Sequence, residues 1–451
     1  MAHVRTTGLG LLLAAAACGP QADVAPSAGG GVWFEGARLV TGDGTEPIEN
    51  SAFLVEDGTF SWVGEQGETE PPNGATRIDL AGKTVIPALI DGHNHIGLTN
   101  IKDGSDSKEN YNRANLVDQL QRYAYYGVGA ALSMGLEADR QLAYQLRDET
   151  IPNAAQFLTV GRGIAGTSMA GPQSESRIGI PYGAQSEEEG REAVRELSAD
   201  GVAFVKIWVD DRGGSVPKLE ANVYRAIIDE AHANGMQVLA HVGQTSALED
   251  AKDLLRAGID GFVHMVRDRD VDEEYLALVR ENRQVWTGPN IPGTPLTQEE
   301  LAVLSETFPP DEVARRREDI ERRAATGDTL PSELFQLHCR NLARIHEAGM
   351  TIGLGTDGTG DGFGAHQEMV SYTQCGFTAH EAIVAATGTN AAVLGLDDLG
   401  TVAAGKSADF VVLDANPLDD IRNTARISQV YLRGDEVDRE ALRAGFLSGA
   451  P

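Results

Sequence analysis

The sequence predicts an α/β protein: a (β/α)8 TIM barrel carrying a small β-sandwich assembled from both chain ends. Three observations predict it. A helix–glycine–strand cadence recurs through the middle of the chain. Eight candidate strands spread over about 300 residues, the span such a barrel occupies. Turn-rich β segments flank this region on both sides.

The cadence is plain in "AIIDEAHANGMQVLAH", "DAKDLLRAGIDGFVH" and "RNLARIHEAGMTIGLGTD", and "LQRYAYYGVGAALSMG" has the same shape. Gly127, Gly235, Gly258 and Gly349 stand where a helix end needs a left-handed residue. Helices alternating with strands at this spacing imply βαβ units and a parallel sheet. The candidate strands are Thr84–Ile90, Val128–Met134, Gln156–Val160, Ala203–Val209, Gln237–Ala240, Gly261–Val263, Gln284–Thr287 and Thr351–Gly355. An open doubly wound sheet is the alternative, but the GxGxxG matches "GRGIAG" and "GLGTDG" each run into a Gly-rich loop rather than opening a helix, and so do not support it. The segments "VWFEGARLV", "SAFLVEDGTFSWVGE" and "TRIDLAGKTV" read as antiparallel strands with Asp-Gly turns. That texture returns in "KSADFVVLDANP" and "ISQVYLRGDEV". The expected organisation is residues 32–84 and 396–451 as the sandwich and 85–395 as the barrel.

The chain has 451 residues, 41% of them hydrophobic, with 37 basic against 67 acidic side chains and a net charge of -30. That balance argues against nucleic acid or an anionic membrane surface as a partner. At the N-terminus, Arg5 precedes an apolar run from Gly8 to Ala17, the length of a signal h-region and too short to span a bilayer. The run ends in "LAAAAC", which resembles the lipobox of bacterial lipoproteins with Cys18 as the lipidated residue; ordinary cleavage within the alanine run is the alternative. Residues 1–18 are thus an export signal. Residues 19–31, "GPQADVAPSAGGG", are a flexible tether. Gly19 after the cysteine implies, by the same resemblance, the periplasmic side of an outer membrane. Cys339 and Cys375 have no CxxC spacing and read as small buried hydrophobes in helices.

The chemistry gathers at strand ends. In "VIPALIDGHNHIG", His93 and His95 are two apart, so on a strand both imidazoles face the same way. In a barrel that is inward, at the mouth where active sites form. Two imidazoles at that spacing suit Zn2+ or a similar ion. His241 and His264 each end a strand. Asp357 ends the last strand, with Gly353 and Gly355 on the same face leaving room beside it. It can ligate a metal and accept a proton. In "AFVKIWVDD", Val205, Ile207 and Val209 form an apolar stripe, which turns Phe204, Lys206 and Trp208 inward. A buried lysine loses its proton or finds a partner. A neutral amine can also take up CO2, and the carbamate can bridge two metals.

This set of residues resembles the metal-dependent amidohydrolase superfamily, in its prolidase-like and imidazolonepropionase-related branch. HxH on strand one, Lys on strand four, His on strands five and six and Asp on strand eight all match, as does the tail "TVAAGKSADFVVLDANPL"; Ala88 replaces a usual glycine. The resemblance implies two divalent metal ions, Zn2+ first among candidates. His93 and His95 would hold the more buried ion, His241 and His264 the more exposed one, and Lys206 as a carbamate would bridge them. Asp357 would ligate the buried ion and act as catalytic base toward a bridging hydroxide. The activity implied is hydrolysis of a C–N amide bond in a small substrate: a dipeptide, an N-acyl amino acid or a similar arylamide. Alternatives are cyclic-amide hydrolysis of the imidazolonepropionase type, or a non-catalytic metal- or ligand-binding exported protein on the same scaffold. A homo-oligomer stays open.

Other residues are weighed against plainer roles. Arg162, Trp208 and Asp210 are candidate substrate contacts, as is His366 in the loop after strand eight. His232, His338, His346 and His380 read as helix-surface or helix-end residues. In "DEVARRREDIERRA", the pairs Glu312–Arg316, Glu318–Arg322 and Asp319–Arg323 describe a solvated helix rather than an anion site.

Overall fold

A computed structural model describes residues 30–169, 174–243, 245–291, 295–326 and 332–448. The export signal, Cys18 and residues 19–29 of the tether lie outside the described residues. Eight parallel strands form the barrel: Leu89–Asn94, Val128–Gly135, Gln156–Arg162 extended by Ile164–Ala165, Phe204–Val209, Gln237–Val242, Gly261–Phe262, Trp286–Thr287 and Thr351–Ile352. Each pairs in parallel with the next. The third strand is handed over at Gly163: Gln156–Arg162 pairs backward to strand two, and Ile164–Ala165 pairs forward to strand four. A Cβ at Gly163 would stand 2.1 Å from the Trp208 ring, so only glycine fits the handover.

Alternation on the fourth strand sorts its side chains. Val205, Ile207 and Val209 are fully buried beneath the helices, each worth about 1.5–3 kcal/mol of apolar burial. Phe204 instead packs in the barrel interior with Ile90, Leu132, Met134, Val160, Leu239 and Val263. Lys206 follows it inward, at 0% exposure. The four cadence glycines all have positive φ, between 72° and 93°, and Gly258 is the left-handed cap of helix Ala247–Ala257.

The predicted strand Thr84–Ile90 is two strands. Thr84–Pro87 joins the flanking sheet, parallel to Val32–Leu39 and antiparallel to Phe410–Leu413. The barrel starts at Leu89, and Ala88 is the joint, its N–H donating to the Asp409 carbonyl. The flanking sheet has eight strands, seven in one hydrogen-bonded path and Thr76–Asp79 paired beside Val32–Leu39. It curls on itself: Phe60 on the edge strand Thr59–Glu65 lies 5.7 Å from Phe410, four strands away along the path. Phe34, Phe53 and Tyr431 complete that aromatic core at ring separations of 4.6–5.2 Å. Strands from both chain ends therefore share one interior.

Three readings of the sequence are corrected. Cys339 and Cys375 are not free hydrophobes; they form a disulfide with Cα atoms 4.6 Å apart, tying helix Glu333–Glu347 to the C-terminal end of helix Gly364–Gln374. Two cysteines 36 residues apart carry no spacing signature, and only the packing of the two helices brings them together. His338 is not a surface residue but is buried, with neither ring nitrogen hydrogen-bonded among the described residues. In helix Pro310–Thr326 the pairs Glu312–Arg316 and Asp319–Arg323 form, at 2.7 and 2.9 Å, but Arg322 turns to Asp319 rather than Glu318.

Two outcomes are expected. Cys339→Ser should cost about 2–4 kcal/mol in denaturant unfolding, from the chain entropy released; an unchanged midpoint would count against a formed disulfide. Burial, and then the nearby Arg267 charge, lower the His338 pKa to about 4. The unfolded chain, with an ordinary histidine near 6.5, binds more protons between those values. Stability should therefore fall as pH drops from about 6.5 toward 4, by at most about 1.4 kcal/mol per pH unit from this group. His338→Leu should flatten that part of the curve.

Candidate active site

The C-terminal ends of the barrel strands bring His93, His95, Lys206, His241, His264 and Asp357 into one cluster. Asp357 is its hub. Its Oδ1 lies 3.1 Å from His95 Nε2 and 3.5 Å from His93 Nε2, and its Oδ2 is 3.8 Å from His264 Nε2. His93 Nε2 is 3.3 Å from Lys206 Nζ. The rings of His241 and His264 meet edge to face at 4.6 Å, and those of His93 and His264 at 5.0 Å.

Outer contacts set the tautomers. His93 Nδ1 lies 3.2 Å from the Val263 carbonyl. A carbonyl only accepts, so Nδ1 carries the hydrogen and Nε2 offers its lone pair inward. His241 Nε2 lies 3.3 Å from Asp210 Oδ2, which by the same logic frees Nδ1 as the donor atom. The Nδ1 atoms of His95 and His264 are buried without hydrogen-bond partners among the described residues.

Electrostatics favour the ligand form of each group. Burial, more than any neighbour, pushes all four histidines below their ordinary pKa, His241 to about 4. They are neutral imidazoles at pH 7. Burial also brings Lys206 down to about 7, against the pull of Asp357 and Glu137, so much of its amine is neutral. Burial alone would raise the Asp357 carboxyl, but His93, the hydrogen bond with His95 and the remaining histidines outweigh it and hold it well below the usual range. Donor atoms of His93, His264 and Asp357 all lie within 4.8 Å of one another. Neutral imidazoles around an ionised carboxylate, beside a half-neutral lysine, are a donor set suited to a divalent metal such as Zn2+.

Local backbone explains how Asp357 gets there. Its φ is +51°, a left-handed conformation that aspartate tolerates better than most residues. Its N–H donates to the His93 carbonyl at 2.7 Å. Gly353 and Gly355 do not leave open space, as expected from sequence; they allow close approach. A Cβ on Gly355 would sit 2.7 Å from the His93 Cβ, and one on Gly353 would sit 2.3 Å from Asn390 Oδ1.

Of the candidate substrate contacts, Trp208 walls the site. Lys206 Nζ lies 5.1 Å from its ring centre, and its ring stacks near His95 at 6.5 Å. Asp210 is occupied: beyond His241 it accepts from Arg212, at 3.1 Å from Nε and 2.9 Å from the backbone N–H. Burial would raise its pKa, and the His241 hydrogen bond with the Arg212 contacts brings it to about 2. Arg162 turns away, donating to the Ile180 carbonyl and lying 4.2 Å over the Tyr182 ring. His366 does not face the mouth: it is buried, with Nδ1 2.9 Å from Thr424 Oγ1 and Nε2 2.9 Å from the Tyr126 carbonyl. It opens helix Gly364–Gln374, whose packing against the C-terminal segment turns it from the barrel axis.

Two positioning residues were missed from sequence. Asp91 is fully buried; its Oδ1 accepts from the N–H groups of His93 (3.2 Å) and Thr356 (3.1 Å), and its Oδ2 from Thr356 Oγ1 (2.7 Å) and Tyr123 (3.3 Å). Asn390 donates to the carbonyls of Ile90 (2.7 Å) and Leu354 (2.8 Å) and accepts from the Leu354 N–H (3.0 Å). Asp91 stands inside the motif "LIDGHNH", where an acid amid apolar strand residues was a signal available to be read; Asn390, in a helical stretch, gave none.

Residues 84–437 match the amidohydrolase family. The chain is 27% identical over 329 residues to an uncharacterized protein of Mycobacterium tuberculosis, covering 70% of this chain and 76% of that one. It is 24% identical over 395 residues to the imidazolonepropionase of Mycolicibacterium smegmatis, covering 82% and 85%. Among solved structures, molinate hydrolase superposes with a TM-score of 0.69 at 22% identity, covering 92% of this chain and 96% of that one. A Xaa-Pro dipeptidase with bound methionine gives 0.68 at 21%, covering 90% and 99%. At those identities the two structures bear on the fold.

Asp210→Asn should weaken metal affinity about 10–100-fold while leaving the fold intact, because it frees the His241 ring. Chelator competition followed by metal analysis measures this, and unchanged affinity would mean that His241 is held by other contacts.

Proposed function

The chain belongs to the amidohydrolase family, and from that membership we propose that it hydrolyses a C–N amide bond in a small substrate, using two divalent metal ions held at the barrel mouth. The observation that carries this reading is the convergence on Asp357 of His93, His95 and His264, with His241 against His264 and the buried Lys206 against His93. His93, His95, His241, His264 and Asp357 are the candidate ligands, and Lys206 as a carbamate is the candidate bridge. When bound, the metals supply Lewis acidity and make water a nucleophile near neutral pH. Asp357 takes the proton of the attacking water as the new C–O bond forms. It then returns that proton to the amide nitrogen as the C–N bond breaks, releasing a carboxylic acid and an amine. Trp208 closes one side of the site and excludes water from Lys206.

The substrate class proposed is a dipeptide, an N-acyl amino acid or an arylamide of similar shape. The similarity to imidazolonepropionase over 82% of the chain favours, as a second reading, a cyclic amide whose ring opens by the same bond cleavage. The disulfide Cys339–Cys375 supports export, since such bonds persist in oxidising compartments. An exported, lipid-anchored enzyme with Cys18 as the modified residue remains part of the proposal.

A library of dipeptides, N-acyl amino acids and cyclic amides, assayed with the Zn2+-loaded protein, tests the reading. Hydrolysis should disappear in chelator, and Asp357→Asn should lower kcat about 10²–10⁴-fold, the usual scale of a lost general base. Full turnover by Asp357→Asn would remove Asp357 from the mechanism. Lys206→Ala that keeps two metals and full rate would remove the bridge.

A further inference from the structure

The chain carries 67 acidic against 37 basic residues, so a buried arginine should find a carboxylate easily. Arg122, fully buried, does so: it pairs with Asp118 at 2.8 Å and reaches the Thr307 carbonyl. Two arginines at the barrel mouth do not. Arg177 lies in the loop after the third strand, and Arg267 stands three residues beyond His264. Both are half-buried, and neither side chain makes an ion pair or hydrogen bond among the described residues. In each, the Nε atom is sealed from solvent without a partner. Arg212, two residues beyond Asp210, is paired with it through Nε, but its Nη2 is likewise buried and unpartnered. Guanidinium groups stay protonated in proteins, and holding one partly out of water without a direct counter-charge is unfavourable.

These charges lie near enough to the candidate ligand cluster to act on it. Arg177 acts on His95, and Arg267 and Arg212 act on His241 and Lys206. In return Asp106, and then Asp357, stabilise the charge of Arg177, and Asp357 and Asp210 that of Arg267. None of the three pairs directly with either arginine among the described residues; Asp106 accepts from Ser176 Oγ at 3.0 Å. Asp357 is committed to the metal-ligand cluster, and Asp210 to His241 and Arg212. The mouth of a strongly acidic protein thus holds guanidinium groups with no direct partner among the described residues, close to the candidate ligand cluster.

We propose that Arg177 and Arg267, backed by Arg212, bind a carboxylate of the substrate, and that the substrate is therefore an N-acylated amino acid or a peptide whose free C-terminal carboxylate adjoins the scissile amide. This rests on the amide-hydrolase reading above and narrows it. Guanidinium nitrogens with unused donors match a carboxylate in charge and in fork geometry. An amide that bears no carboxylate leaves them unpaired. The leaving amine of such a substrate carries the carboxylate on its α-carbon, close enough for one site to hold both groups.

The test uses the full Zn2+-loaded protein and a panel of N-acetyl-L-amino acids with their matched carboxamides. Calorimetry reads binding without requiring turnover. The carboxylates should bind at least about 10-fold more tightly than the carboxamides. Arg267→Met and Arg177→Met should each erase most of that preference, with carboxamide affinity nearly unchanged. Arg177 lies in a loop, so its variant decides the matter if Arg267→Met fails to fold. Equal binding of the two series, no binding of any carboxylate, or a preference that survives both substitutions overturns the proposal. Turnover is scored separately. Arginine-dependent carboxylate binding without cleavage would sink the hydrolase reading and keep the anion site. Cleavage of amides without that preference would do the reverse.

Discussion

The carboxylate of Asp91 is the contact on which the site most depends. From inside the first barrel strand it holds the N–H of His93 with one oxygen, and the same oxygen holds the N–H of Thr356. Its other oxygen takes the hydroxyls of Thr356 and Tyr123. Thr356 immediately precedes Asp357. One buried acid therefore sets the spacing between the histidine motif and the hub carboxylate, which arrive from opposite ends of the barrel sequence. Asn390 makes a second clasp one layer below, between Ile90 and Leu354. Burial raises the Asp91 pKa to about 6 even against four hydrogen bonds to its charge. The seam is thus built from a group that could not be retained there without its partners.

Around that seam the cluster follows from strand geometry. Period-two alternation put Lys206 inward once Val205, Ile207 and Val209 were committed to the helices, and this was legible in the sequence. So were the other five candidate ligands, because each stands at or just past a strand end and residues of that chemistry leave a local trace there. Contacts that join distant segments left none. Nothing in the sequence tells Asp210, which orients His241, from an acid aimed at substrate. His366 reads from sequence as part of a loop after the last barrel strand, yet it lies in the first turn of helix Gly364–Gln374, whose packing takes it to Thr424 and Tyr126. The two helical cysteines read as apolar filler because their partnership exists only in three dimensions. The arginines at the mouth were hidden for a related reason: an arginine is conspicuous only when its lack of a partner can be seen.

Charge is distributed in two ways in this molecule. Over the whole chain it is strongly negative, and many surface arginines are paired, as in Arg38–Glu49 and Arg113–Glu149. At the mouth the order reverses, with acids consumed by ligand and positioning duties and arginines left over. Low dielectric strengthens every interaction in such a place. The neutral state of the histidines and the weakened basicity of Lys206 belong to the same environment, since burial is the leading cause of each shift.

The joint at Ala88 has a consequence for how the chain assembles. Thr84–Pro87 lies between Val32–Leu39 and Phe410–Leu413 in one sheet, and the next residues are the first wall of the barrel. The N-terminal part of that sheet therefore leaves the ribosome with an open edge, which stays open until nearly the whole barrel has been made. Its aromatic core cannot close without Phe410 and Tyr431. Long-range pairing of this kind pays its loop entropy before any contact rewards it. The last strands to be synthesised act as a latch, and a chain cut short before them would carry both an unpaired strand edge and an exposed aromatic face into solution.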